Sequence, residues 1–132
     1  MAQAPTGYRE IANTGQLMQG LIQPATAAIQ DAGKDAGPQD NRAWRSVLLN
    51  ALMIQEGGQL LEMGSRAKDQ DGWIKAANAL IDAGAAVQKA AQSRDVAALQ
   101  TAASGLNGTC QGCHSIYRVR SGPKKQEPTK QQ

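Results

Sequence analysis

The chain contains no phenylalanine, and aromatic residues make up 3% of its 132 positions, although 41% are hydrophobic. Its core must therefore rest on Ala, Leu, Ile, Val and Met. Short side chains let secondary-structure elements approach closely, which suits helix packed on helix. No stretch shows the period-two alternation of a half-buried strand. The length corresponds to a single domain.

Four helical stretches can be traced. The first begins near Thr6, and Ile11, Met18, Leu21 and Ile22 recur in it at helical spacing. Pro24 interrupts the pattern. A proline inside a helix removes a backbone hydrogen bond, so a kink or break is expected there, with Ala25 to Ala32 as a second piece. Gly33 and the run Asp35-Ala36-Gly37-Pro38 end the unit. The second helix starts with Asp40 as its cap. It carries Trp44, Val47, Leu48, Ala51, Ile54, Gly58 and Leu61 near one face, and fades near Arg66. The pair Gly57-Gly58 costs about 1 kcal/mol per residue in a helix interior. It signals either the close approach of a neighbouring helix or of a bound macrocycle, or a local break. After the turn Asp69-Gln70-Asp71-Gly72, the third helix shows Trp73, Ala76, Leu80, Ala83 and Val87, with Gly84 on the same face. Ser93 is read as the cap of the fourth helix, supported by Asp95 in its first turn. Val96, Leu99, Ala103, Leu106, Cys110, Cys113 and Tyr117 line its inner face, and Gly122-Pro123 stops it. The short connections make neighbours antiparallel. The expected fold is an all-α, antiparallel four-helix bundle over residues 1–120, followed by a basic flexible tail at 121–132.

The last helix carries Cys110-Gln111-Gly112-Cys113-His114. Cys-x-x-Cys-His is the signature of covalent haem c attachment. Two thiols add across the porphyrin vinyl groups as thioethers, and the imidazole binds iron from one side. Positions three and four apart share a helical face, so Cys110, Cys113 and His114 form a compact triangle. Other uses of these residues are weaker. Structural zinc needs four ligands, whereas the chain has two cysteines and one histidine, so carboxylates would have to complete the site. A thioredoxin-like pair needs a βαβ setting. A Cys110–Cys113 disulfide would be strained within a helix. A buried macrocycle would also supply the large flat apolar body that the composition lacks. No Met or His follows His114, so a second protein ligand to the iron must come from upstream.

No apolar run approaches the roughly 20 residues of a membrane span. Haem c is attached outside the bacterial cytoplasm, and Ala2-Gln3-Ala4 has the small-x-small form of a processed end. A periplasmic, exported protein without its leader is expected. Charge is uneven. Residues 1–117 hold nine Lys/Arg against ten Asp/Glu, whereas residues 118–132 hold five basic residues against Glu127. The basic end reads as a solvated segment, or else as a docking patch for an acidic redox partner or a membrane surface. No basic patch interleaved with aromatics points to nucleic acid. Nothing resembles a catalytic triad, paired carboxylates or a phosphate loop, and the lone histidine belongs to the motif, so an enzyme is not expected. Trp44 and Trp73 each open a helix and read as packing anchors or haem-edge walls.

A helical bundle with Cys-x-x-Cys-His on its last helix resembles the class II cytochromes c, the cytochrome c′ superfamily. The likeness extends to about Arg120. It includes Tyr117 and Arg118, respectively three and four positions after His114, and the pair Tyr8-Arg9. The resemblance implies one haem c, with His114 as proximal ligand and Arg118 flanking it. It implies one of two functions. In the low-spin branch a Met on the first helix is the sixth ligand, and the protein carries electrons to a redox partner. Gln16-Leu17-Met18-Gln19 resembles that segment, which makes Met18 the candidate. In cytochrome c′ proper an apolar distal pocket admits NO and CO. Aligning on Tyr8-Arg9 would instead put Asn13 at the distal position. Met53 and Met63 read as core filler. Members of the class often form homodimers.

Overall fold

The computed structural model describes residues 9–67 and 71–117, with side chains through Gly112. Among these the chain is all helical, without strands. The first helix runs in three consecutive segments: α1 (Thr14–Leu17), a π-helical turn π1 (Met18–Ile22) and α2 (Gln23–Ala32). Then come α3 (Asn41–Leu61), a short 3-10 turn (Gly64–Arg66), α4 (Gly72–Ser93) and α5 (Val96–Tyr117). The order builds an antiparallel four-helix bundle in which α3 packs on α4, α4 on α5, and the first helix on α3 and α5.

Several helix ends differ from the sequence reading. The first helix starts at Thr14 rather than near Thr6. Asn13 is its cap: the Asn13 side chain accepts from the Gln16 amide, and the Gln16 side chain accepts from the Asn13 amide. That reciprocal box satisfies two otherwise orphaned donors. Asp40 caps α3 as expected, its carboxylate accepting from the Ala43 amide at 2.8 Å. Ser93 does not cap α5. It ends α4, and its hydroxyl donates back to the Lys89 and Ala90 carbonyls. Asp95 caps instead, accepting from the Ala98 amide. The reversal between α4 and α5 needs a left-handed residue, and Arg94 takes it at φ 53°. A two-residue connection leaves too little chain for a separate serine cap.

The core is assembled from small and branched side chains. Ile22, Ile29, Ile54, Leu99 and Leu106 are wholly buried. On α4, Trp73, Leu80 and Val87 are buried as expected, while Ala77 takes the inward place assigned to Ala76. Gly57 and Gly58 do not break α3. A Cβ at Gly57 would meet Ile22 Cγ1 at 2.7 Å, and one at Gly58 would meet Ile81 Cγ1 at 2.6 Å. The pair therefore admits the first helix on one side and α4 on the other. Gly84 of α4 returns the fit, since a Cβ there would stand 3.0 Å from Ile54 Cγ2 and 3.2 Å from the Ala51 carbonyl. No described helix is long and apolar enough to cross a membrane. The proposed tail, 121–132, lies outside the described residues.

Candidate haem-binding site

The α5 helix is unbroken from Val96 to Tyr117, so positions 110, 113 and 114 fall within little more than one helical turn. Leu99, Ala103 and Leu106 are buried on its inner face, and half-buried Cys110 packs against the same core. Burial pushes the Cys110 thiol up from its ordinary pKa, against the opposing effect of the Thr26 and Thr109 hydroxyls beside it. The thiol is therefore protonated at neutral pH. In the haem-free folded chain, Cys110 should alkylate with iodoacetamide more slowly than free cysteine. Its rate should still be climbing at pH values where an ordinary thiol has levelled off. Parity with free cysteine would show that the seam around it stands open. The side chains of Cys113 and His114, and the whole of Arg118, lie outside the described residues.

The first helix covers Cys110. Gln30 Nε2 donates to the Ala103 carbonyl at 2.8 Å, and Gln100 Nε2 donates to the Gly33 carbonyl at 3.0 Å. These bonds fix an antiparallel register that brings Thr26 next to Cys110. Thr26 Oγ1 is buried and makes no hydrogen bond of ordinary geometry, having only a weak contact with the Cys110 thiol. A buried hydroxyl so poorly partnered is costly, and this one stands on the seam that a thioether from Cys110 would enter. The residues present therefore fit a covalently held haem. The helical spacing aligns the attachment positions on one turn, and the seam beside the inward thiol has incomplete polar packing.

Along the first helix, Pro24 neither ends nor breaks the structure. The preceding turn widens, and the Gln23 amide bonds to the Met18 carbonyl, five residues back. One extra residue is thereby absorbed, which changes the phase of everything before it. Leu17, 8% exposed, lies buried in the core with Ile22, Ala25 and Ile29, while Met18 is half-buried against the same cluster. Asn13, the alternative distal position, is exposed and committed to its capping box. Leu17, Thr26 and Gln30 carried no signal in the sequence reading, because straight α periodicity puts Met18 where Leu17 sits.

The end of the bundle that holds the motif is tied down by two residues that the sequence reading passed over. Arg66, 5% exposed, donates from Nε to the Ala12 carbonyl at 2.9 Å and from a terminal nitrogen to the Leu60 carbonyl. Glu10 accepts from the Ser65 amide at 2.7 Å and from the Ser65 hydroxyl. Both hold the segment leading into the first helix. The Ser65 hydrogen bonds keep the Glu10 carboxyl below the usual range. A depressed pKa contributes stability above the ordinary carboxylate range, and that contribution is lost as pH falls through the folded value. Between about pH 6 and pH 3, the thermal midpoint should fall more for the native chain than for Glu10→Gln. Equal slopes would show that the clamp is not formed in solution.

Trp73 also belongs to this end, its indole donating to the Leu61 carbonyl at 2.6 Å. Trp44 lies at the other end, beside Ala91 and Arg94, so it is a packing anchor. Two shallow hollows, one along Asp71, Ile74, Lys75 and Asp82 and one beside Trp44, are not bordered by any described side chain of the motif.

Searches of curated proteins and of solved structures return no match. Residues 66–118, which span α4, α5 and the Cys-x-x-Cys-His run, match the family model described as Cytochrome C′. The matched stretch holds the attachment motif and leaves the first helix outside. Together with the four-helix architecture, that match supports the class II cytochrome c, or cytochrome c′, superfamily, a family of proteins that carry a covalently attached haem c.

Proposed function

We propose that this chain is a periplasmic monohaem electron carrier in which Cys110 and Cys113 bind the haem as thioethers, His114 is the proximal ligand and Met18 is the sixth ligand. When bound, the haem supplies one iron that alternates between ferrous and ferric states. The observation that supports Met18 is the phase of the first helix. Thr26, Gln30 and Gly33 face α5, and the widened turn brings Met18 into line with them. Between Thr14 and Ala32 no other side chain is a usual axial ligand to haem iron. Arg118, one turn after His114, is assigned to a haem propionate or to shielding the imidazole. The basic residues at 118–132 would dock an acidic redox partner, and a second copy of the chain is the expected assembly partner.

A second reading has its own support. Leu17 is buried immediately beside Met18. If Met18 stayed packed in the core, the distal side would be apolar and open to NO or CO, and the protein would bind gases instead of carrying electrons. Optical spectra of the purified holoprotein in both oxidation states decide between the two. The electron-carrier reading requires a low-spin iron and slow or absent CO binding to the ferrous form. A high-spin spectrum with immediate CO binding would transfer the assignment to gas binding.

A further inference from the structure

We infer that Pro24 is a positioning residue that aims Met18 at the haem by enforcing the π turn before it. This inference rests on the reading of Met18 as sixth ligand. In an unbroken α-helix the amide of residue 24 would bond to the carbonyl of residue 20. Proline has no such donor, and its ring clashes with that carbonyl. The chain resolves the conflict by widening the turn at Met18–Ile22, where the Gln23 amide reaches the Met18 carbonyl. Gly20 lies inside that turn, and a side chain there would meet no atom within 4 Å.

The consequence is rotational. Each residue of an α-helix advances by about 100°. In a straight α-helix Met18 would stand four positions before Ile22 and seven before Ala25, on the buried stripe. The extra residue advances Met18 by one place, so that it behaves as position 19 would. Seven effective positions then separate it from Thr26, and it joins the stripe of Thr26, Gln30 and Gly33. That stripe faces α5 through Gln30 to Ala103, Gly33 to Gln100 and Thr26 beside Cys110. Leu17 takes the vacated place in line with Ile22, Ala25 and Ile29. Burial follows this assignment: Leu17 is 8% exposed and belongs to the core, whereas Met18 is only half-buried.

Relaxation to a straight helix is open to the chain once the proline is gone. It exchanges Leu17 for Met18 on the core stripe, and exchanges of Leu and Met are among the better tolerated in cores. Pro24→Ala should therefore keep the bundle folded while swinging Met18 away from the seam. Deleting Gly20 in the Pro24→Ala background removes the extra residue and returns Met18 to its original phase in a straight helix.

The test uses the haem-loaded protein and its optical spectrum, with circular dichroism reporting the fold. Pro24→Ala should be helical, high-spin and fast in CO binding. Pro24→Ala with Gly20 deleted should return to low-spin. A Pro24→Ala protein that stays low-spin, in a series where Met18→Ala is high-spin, would overturn the positioning role and leave the Met18 assignment intact. A wild-type protein that is already high-spin would remove both. A Pro24→Ala protein that is high-spin and stays so when Gly20 is deleted would also overturn the inference, since the phase of the helix would not be what governs the ligand.

Discussion

Alanine at Gly84 is expected to lower the stability of the bundle by about 1–3 kcal/mol, whereas alanine at Gly108 should raise it by up to about 1 kcal/mol. The two substitutions are chemically identical and both lie within helices. At Gly84 the new methyl would stand 2.9 Å from Gln55 Cγ, 3.0 Å from Ile54 Cγ2 and 3.2 Å from the Ala51 carbonyl. The backbone oxygen cannot turn aside, so α3 and α4 must separate along their main contact. At Gly108 nothing lies within 4 Å, and what remains is the intrinsic preference of a helix for alanine over glycine. Gly58→Ala belongs with Gly84, because Ile81 Cγ1 at 2.6 Å and the Ala77 carbonyl at 3.2 Å oppose it. Urea unfolding followed by circular dichroism measures all three. A neutral Gly84→Ala would mean that the α3–α4 interface is looser than described.

The second large effect concerns the iron. Met18→Ala should convert a low-spin protein into a high-spin one that binds CO within mixing time, and should lower the reduction potential, because Met/His ligation raises it. Stability should change little, since Met18 is half-buried and not central to the core. Leu17→Ala is the matching control. Leu17 is buried, so its loss should cost about 2–5 kcal/mol while the spectrum stays low-spin. An inverted outcome, with Leu17→Ala altering the spectrum and Met18→Ala only the stability, would mean that the distal residue is Leu17 and that the site is apolar.

What the sequence revealed was whatever depends on local chemistry. Helical periodicity and the lack of any strand pattern gave the four-helix architecture. Asp40 was recognisable as a cap because capping uses a side chain and an amide three residues on. The Cys-x-x-Cys-His run declared the cofactor because covalent attachment needs those atoms at that spacing, and the family match over residues 66–118 covers the same run. The glycine pair at 57–58 was legible as either a close approach or a local break, and the structure shows the close approach. Its cost is local, but its cause, the approach of Ile22 and Ile81 from two other helices, is not.

The motif and the count of helices were thus determined by the sequence alone, since both are written in spacings of three and four residues. The tertiary structure decided which side chains those helices turn toward one another. Pro24 forbids one hydrogen bond, and sequence reading stops there with a kink or a break. Packing of the first helix against Gly57 and α5 instead keeps the helix continuous and takes up the misfit as one wide turn. That turn moves Leu17 into the core and Met18 to its edge, a choice between neighbouring residues that periodicity of fixed pitch cannot express.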